Sequence, residues 1–185
     1  MKYFLIILIS LSALALKAQD KSEKKDKKEK QELVVDSTVV LSLDDTIKSL
    51  YNVISGEKDE ERNWKQFKFL FKPDAKLIPA GKDKYKFVKV NYMSPDDYIK
   101  KSGKWLVENG FIEKEISRRV NTFGDIAHVF STYESFHSKV DEAPFMRGIN
   151  SIQLFNDGER WWIINILWTN ETEENPIPTA YLPIE

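Results

Sequence analysis

Few titratable side chains in this sequence are placed to act on a substrate, and the histidines are the first to consider. His128 and His137 are the only histidines, nine residues apart, and the chain has no cysteine. That separation would place them on opposite faces of one continuous strand, so they cannot share a metal ion. Without cysteine, no thiolate can complete a site. The sequence therefore predicts no metal site, and each histidine is interpreted as a structural or surface residue.

Nucleophilic catalysis has no motif here, because the sequence contains neither a Gly-x-Ser-x-Gly elbow nor a phosphate-binding glycine loop. General acid–base chemistry is the enzymatic option that remains. His128 and Glu134 share one parity of a strand predicted over 126–138, so a base and its orienting carboxylate could lie on one face. Six residues of strand span about 20 Å, however, so these side chains cannot touch. We predict no catalytic residue and no cofactor.

A set of polar side chains with large apolar neighbours could instead line a pocket for a small, largely apolar molecule. Strand parity makes Ser151 and Gln153 face away from Asn150, so the whole set cannot face one cavity. A packed core with satisfied polar groups would leave the same pattern. The candidate ligand-binding residues are Tyr98, Trp105, Arg118, His128, Phe130, Tyr133, Asn150, Ser151, Gln153, Trp162, Asn165 and Trp168.

A predicted hairpin over 147–169 must position much of this set. Two β-rich runs flank the Asp157-Gly158 turn, where glycine can supply a positive φ. The second run, from Trp161 to Trp168, is apolar at both parities, with Asn165 as its one polar interior residue. A strand with one face in water would alternate, so we predict that both faces of this strand are covered.

Helical spacing upstream predicts three helices. The first follows Ser42 and stops at Gly56, the second covers 59–71 and ends before Pro73, and the third runs from Ser94 to Asn109-Gly110. Short strands are predicted at 76–78 and 85–90. From Phe111 onward the period changes to two, which predicts strands over 111–121 and 126–138 before the hairpin. Helices that mostly precede antiparallel strands indicate the α+β class.

The chain ends and the charge balance limit the partners. Lys and Arg number 28 against 29 Asp and Glu, so no net field favours nucleic acid or an anionic membrane. The basic start, the apolar run over 3–16 and Ala18-Gln19 are typical of a signal peptide over 1–19. The run is shorter than the about 20 residues that a membrane span needs. We expect export, periplasmic or secreted, and no stable membrane anchor after cleavage.

The remainder is expected to be a charged, disordered tether over 20–40 and a single folded domain over 41–185 with a Pro-rich C-terminal tail. Four segments of the domain carry a resemblance: Phe-Lys-Pro-Asp-Ala at 71–75, Ser-Pro-Asp-Asp-Tyr at 94–98, Ile-Ala-His-Val-Phe-Ser-Thr-Tyr-Glu at 126–134, and the Asp157-Gly158 turn before Trp-Trp-Ile at 161–163. With these segments, the domain resembles the nuclear transport factor 2-like superfamily, in its bacterial polyketide-cyclase-like (SnoaL-like) branch, over 41–167.

This resemblance implies a cone, in which a strongly bent antiparallel sheet wraps around three helices (a cystatin-like roll). In the enzymes of the superfamily, an Asp, His or Tyr inside the cone faces a carbonyl substrate. The superfamily also contains many non-catalytic binders, so the fold does not carry an activity with it.

Three function classes follow. The leading prediction is a non-catalytic binder of a small, largely apolar ligand in the cone. The alternatives are an acid–base isomerase, dehydratase or cyclase, and an interaction module that uses the outer sheet face. A titratable side chain at the cavity floor would favour the enzyme. The doubly apolar last strand also predicts a homodimer joined sheet to sheet, since monomers seldom expose large aromatic patches.

Overall fold

A computed structural model of the chain describes residues 33–82 and 85–184. The predicted signal peptide and most of the predicted tether lie outside the described residues. Residues Val34–Glu185 form one compact unit, which begins earlier than residue 41. Thr38–Val40 form a 3-10 helix, Val40 is buried in the core, and the Asp36 amide donates to Gln66 Oε1 at 2.7 Å. Because Val40 is buried and Asp36 is hydrogen-bonded to Gln66, a disordered tether cannot extend to residue 40.

Three helices precede most of the sheet: α1 (Leu43–Ile54), α2 (Trp64–Phe69) and α3 (Pro95–Asn109). The predicted caps of α1 and α3 are confirmed. The Ser42 hydroxyl accepts from the Asp45 amide at 3.0 Å, and Ser94 and Asp97 form a reciprocal capping box. Gly110 ends α3 with a φ of 70°. No helix within the described ranges is long and apolar enough to cross a membrane.

Helix α2 is much shorter than the predicted 59–71. Asp59 adopts a positive φ of 63°, which is incompatible with a helix there. The side chain of Arg62 is buried, and Asn63 caps the helix by accepting from the Gln66 amide at 3.0 Å. Phe71 begins a strand instead of ending the helix. The boundaries predicted for this helix are therefore wrong at both ends.

Within the described residues, six strands form one mixed sheet in the order β2-β1-β6-β5-β4-β3. They are β1 (Phe71–Lys82), β2 (Val88–Val90), β3 (Ile112–Phe123), β4 (Ile126–Phe136), β5 (Met146–Asn156) and β6 (Trp161–Asn170). The α+β class is confirmed. Strand β1 is longer than predicted and pairs parallel with β6, while every other neighbouring pair is antiparallel. Pro73 is tolerated because it lies in the irregular stretch of that pairing, between Phe71 and Lys76.

Two β-bulges decide which side chains face the helices. In β3 the pairing shifts at Ile116, so Glu113, Glu115 and Arg118 all lie on the inner face of the sheet. In β6 the shift falls at Ile164, so Ile163 and Ile166 are both buried despite being three residues apart. Period-two spacing therefore does not assign the two faces across the whole of β6, because the parity reverses after Ile163.

The outer face of the sheet is covered only in part. The C-terminal tail packs on it, with Thr132 Oγ1 donating to the Tyr181 carbonyl at 2.7 Å and the Tyr181 ring 4.9 Å from that of Phe130. On β6, Ile164 and Leu167 remain 38% and 39% exposed. The prediction that this strand is covered on both faces is therefore wrong: the helices cover its inner face, and its outer face stays partly open.

Candidate functional site

The helices and the inner face of the sheet enclose a cavity of about 200 Å³. Its walls are mostly apolar, and a few polar side chains from β3, β4, β5 and α3 point into it, which is the usual make-up of a small-ligand site. Trp105, which is 45% exposed, lies at its edge. The lining residues are Leu50, Ile54, Phe67, Leu77, Tyr98, Ser102, Trp105, Leu106, Phe111, Glu113, Tyr133, Met146, Asn150, Ile166 and Trp168.

Glu113 is the acidic residue of this cavity, and the start of β3 positions it. It shares the parity of Phe111, which is buried in the core, and it pairs with Ser135 of β4. The Glu113 amide donates to the Ser55 hydroxyl at the end of α1, at 2.9 Å. The backbone is thus fixed on both sides, and strand parity directs the carboxyl into the cone.

The carboxyl of Glu113 is held in a largely apolar environment with two neutral donors. Asn150 Nδ2 donates to Oε1 and Ser135 Oγ donates to Oε2, each at 3.3 Å. Burial raises the pKa of Glu113 to about 7, and these two hydrogen bonds oppose the rise. A carboxyl with this pKa exists in both protonation states near neutral pH, so it can accept a proton and return it.

Glu115, two residues further along the inner face, has different neighbours. Arg118 Nε donates to Glu115 Oε2 at 2.9 Å, and Arg118 Nη1 contacts Asp44 Oδ1 at 2.7 Å. Ser131 also donates to Glu115. None of the ion pairs found between described residues involves Glu113. The bulge at Ile116 therefore gives Glu115 a cation and leaves Glu113 with neutral donors.

Three tyrosines surround the acid. Burial raises the pKa of Tyr51, Tyr98 and Tyr133, and the charge of Glu113 raises each further. The Tyr51 hydroxyl lies 2.6 Å from Ser131 Oγ, and Tyr133 donates to Asn170 Oδ1 at 2.8 Å. These hydroxyls are therefore neutral, and two of them are held by internal hydrogen bonds.

The hydroxyl of Tyr98 is placed differently. The ring stacks on Phe67, with centroids 5.4 Å apart and planes at 22°. Within the part of the chain that the structure describes, no side chain or backbone group is hydrogen-bonded to this hydroxyl, although Tyr98 lines the cavity. This hydroxyl can therefore donate to a ligand in the cavity.

The structure divides the candidate residues into two groups. Five of them line the cavity: Tyr98, Trp105, Tyr133, Asn150 and Trp168. Arg118 also lies on the inner face, in a neighbouring groove with Asp44 and Glu115. Strand parity and the β6 bulge put the other six on the outer face: His128, Phe130, Ser151, Gln153, Trp162 and Asn165. Their partners are local, as in the Asn165–Gln153 hydrogen bond of 3.3 Å.

Glu113 was absent from the candidates. Its signal in the sequence is a carboxyl at the parity of Phe111, which begins a run of period two. Parity alone does not single out Glu113, because Glu115 shares it. The bulge at Ile116, which brings Arg118 to Glu115, distinguishes the surroundings of the two residues.

The histidines lie outside the cavity. His128 Nε2 is 2.9 Å from Ser151 Oγ on the outer face. His137 follows the end of β4, its Nδ1 is 3.3 Å from the Gly110 carbonyl, and its ring stacks on Phe145. Among residues 33–82 and 85–184, no three acidic or histidine side chains converge as a metal site.

Replacing His128 by Asn is expected to cost about 1 kcal/mol or less, since a half-buried hydrogen bond between neutral groups contributes about that much. Ligand binding in the cone should not change. Thermal melts and a ligand titration on His128→Asn check both parts. A variant that melts like wild type but loses the ligand would contradict this placement.

No protein-family model matches the chain, and no curated protein matches it. Among solved structures, a protein of unknown function with a cystatin-like fold from Nostoc punctiforme is similar, with a TM-score of 0.54, 9% identity and coverage of 75% of this chain and 96% of that one. A nuclear transport factor 2-like protein from Cytophaga hutchinsonii has a TM-score of 0.50, 11% identity and coverage of 69% and 93%.

A proposed scytalone dehydratase from Novosphingobium aromaticivorans is also similar, with a TM-score of 0.50, 14% identity and coverage of 76% of this chain and 89% of that one. Identities this low bear on the fold and not on the activity. The six-stranded sheet that curls around three helices agrees with these neighbours. The chain therefore has the cone-shaped α+β fold of the nuclear transport factor 2-like superfamily, also described as cystatin-like.

Proposed function

We propose that the cone binds a small, largely apolar molecule with a carbonyl or hydroxyl group, and that Glu113 acts on it as an acid–base catalyst. The observation that carries this proposal is the carboxyl of Glu113, which faces a mostly apolar cavity and has a pKa of about 7. Perturbed carboxyls of this kind are concentrated at functional sites. This goes beyond the non-catalytic binding expected from the sequence.

The geometry supports a proton transfer next to a carbonyl group. Ionised Glu113 would take a proton from the carbon beside the carbonyl, while the Tyr98 hydroxyl donates a hydrogen bond to the oxyanion that develops. Asn150 orients the carboxyl through Oε1. The protonated acid would then return the proton to another carbon in an isomerisation, or to a departing hydroxyl in a dehydration. The proposed dehydratase among the similar structures makes the second reaction worth testing.

Non-catalytic binding of the same class of molecule is the second candidate. It is favoured by the internal hydrogen bonds of Tyr51 and Tyr133, which leave few hydroxyls free to take part in a reaction. The two candidates share the cavity and the ligand class. They differ in whether the protonation state of Glu113 changes during a turnover.

Exchange of carbon-bound hydrogen for deuterium separates the two candidates without a known substrate. A panel of small cyclic ketones in D₂O would be followed by NMR, with ligand-induced shifts of the Trp105 and Trp168 signals as the binding readout. We expect exchange that increases as the pH rises through about 7 and that falls by about 10²–10⁴-fold in Glu113→Gln. Trp162→Phe, on the outer face, is the matched control and should exchange normally. Binding without exchange would favour the non-catalytic candidate.

Export and self-association also stand as proposals. We infer export from the pattern of residues 1–19, which lie outside the described part of the chain.

A homodimer through the outer face would use the exposed apolar residues Ile126, Ile164 and Leu167. The tail covers part of that face: Arg119 of β3 donates to the Ala180 carbonyl at 2.9 Å, and Ile177 lines a cavity together with Leu167 of β6. A partner would therefore dock beside the tail. An interaction module would use the same open part.

A further inference from the structure

The hairpin of β1 and β2 presents a surface that plays no part in the proposed site in the cone. Strand β2 lies at the edge of the sheet and pairs with β1 through only three residue pairs. All three residues of β2 are exposed, although successive residues of a strand point to opposite faces. If the hairpin lay on the domain, one of its faces would be buried. Exposure of both faces means that the hairpin projects from the domain.

The exposed side chains of this hairpin are large and apolar. Tyr85 and Phe87 are each 66% exposed, Val88 is 77% exposed, and Val90 and Tyr92 are 49% and 66% exposed. Single apolar residues on a surface are ordinary, but a contiguous group with three aromatic rings on a projecting hairpin marks an interaction surface. We call residues 85–92 the apolar tip.

The charge around the apolar tip is strongly basic. Residues 75–92 contain five lysines and one acidic residue, although the whole chain is close to neutral. Lys86 and Lys89 belong to the tip and are exposed. At the base of the tip, Lys82 Nζ lies 4.0 Å from Glu174 Oε2. A local positive field of this kind is complementary to an anionic surface. The net charge of the whole chain does not reveal this field.

We propose that the apolar tip inserts Tyr85 and Phe87 into the interface of an anionic lipid bilayer, with Lys86 and Lys89 at the level of the headgroups. Aromatic rings are favoured at this depth, and a lysine stem can follow apolar material while its ammonium group reaches the phosphates. A bilayer surrounds an inserted tip from all sides, which suits apolar residues on both faces. A three-residue edge strand offers too few backbone groups for stable pairing with a second sheet.

This contact is peripheral and reversible, and it differs from the membrane anchor that the sequence argues against. Its strength depends on the apolar area that enters the interface and on attraction to anionic lipids. It does not rest on the proposed chemistry of Glu113, because the tip contains none of the residues that line the cavity. The tip would hold the domain at a lipid surface.

Sedimentation with vesicles tests the proposal, using a chain that starts at Gln19 and so keeps the compact unit Val34–Glu185. Vesicles of phosphatidylethanolamine with phosphatidylglycerol should bind the protein, and vesicles of phosphatidylcholine should bind it much more weakly. Tyr85→Ser with Phe87→Ser should lower partitioning by about tenfold or more. Lys86→Gln with Lys89→Gln should lower it by about tenfold at low salt and less at high salt.

Phe123→Ser is the matched control, because Phe123 is 84% exposed at the separate turn between β3 and β4. It should partition like wild type, and melting temperatures should agree across the set. Failure of the wild type to sediment with the anionic vesicles would overturn the proposal, as would equal losses in Phe123→Ser. If the Tyr85 and Phe87 variant instead abolishes self-association in light scattering and leaves lipid binding unchanged, the occupant is a second copy and the proposal is wrong.

Discussion

Glu113→Gln is expected to make the protein more stable than wild type at pH 8, by about 3 kcal/mol, while it removes the proposed acid–base activity. Burial raises the pKa of Glu113 from its ordinary value of 4.5 to about 7. Ionisation of this group at pH 8 therefore costs free energy in the folded protein that it does not cost in the unfolded chain. Glutamine keeps the shape of the protonated acid and never ionises. Replacing a functional group that destabilises the fold commonly raises stability at the expense of activity.

The sign of the pH dependence follows from the same shift. Below pH 4.5 both states hold the proton, so wild type and variant should be equally stable apart from local packing. Between 4.5 and about 7 the unfolded chain has released its proton and the folded chain has not, so the stability of wild type falls as the pH rises. Above about 7 the difference stays constant. Urea unfolding of both proteins at several pH values measures this window.

Glu115→Gln is the matched control, because Glu115 lies on the same face of the same strand and is paired with Arg118. Its loss should leave Arg118 with one carboxylate fewer and should lower stability at pH 8. A general effect of removing one negative charge would change the free energy of unfolding in the same direction in both variants. Changes in opposite directions would therefore reflect the different surroundings of the two carboxyls. Destabilisation by Glu113→Gln at pH 8 would contradict the account of the cavity.

Arg62→Leu is expected to lower the free energy of unfolding by about 3–5 kcal/mol. The guanidinium is buried, burial lowers its pKa, and it donates to the backbone carbonyls of five residues. Those carbonyls belong to Ile54, Gly56, Glu57, Glu60 and Leu106, with Nη2 reaching Gly56 at 2.7 Å and Leu106 at 3.0 Å. A leucine fills part of the volume but leaves the buried carbonyls without a donor.

The effect of Arg62 should extend to the cavity, because its partners Ile54 and Leu106 line the cavity from α1 and α3. The matched control is Arg119→Leu, whose guanidinium donates to the Ala180 carbonyl at the exposed surface. That change should cost about 1 kcal/mol or less. Denaturant unfolding measures both variants. A loss below about 1 kcal/mol for Arg62→Leu would show that water replaces its hydrogen bonds.

Local signals predicted the parts of the fold that depend on local chemistry. The boundaries of α3 follow from Ser94, Pro95 and Gly110, which the sequence shows, and the structure adds the capping box at Ser94 and the positive φ at Gly110. The Asp157-Gly158 turn and the strands that flank it follow in the same way. The division of the candidate residues between two faces was partly predictable, because Asn150 and Ser151 differ by one residue of a regular strand.

Features that depend on pairing between distant strands could not be predicted. The bulges at Ile116 and Ile164 are fixed by the register of β3 on β4 and of β5 on β6, and each reverses the parity of everything after it. The parallel pairing of β1 with β6 joins segments that are far apart in the chain. The pKa of Glu113 depends on these pairings, because they decide that Arg118 meets Glu115 instead.

The most direct test of the proposed site is the titration of the Glu113 side-chain carboxyl by NMR, with the signal assigned from Glu113→Gln. A ¹³C-labelled protein would be followed from pH 4 to pH 9, a range that brackets the ordinary pKa of 4.5 and the expected value of about 7. A transition near 7 is the result that burial in the cone predicts. A transition near 4.5 would show that the carboxyl is solvated as on an open surface, and the acid–base proposal would fail.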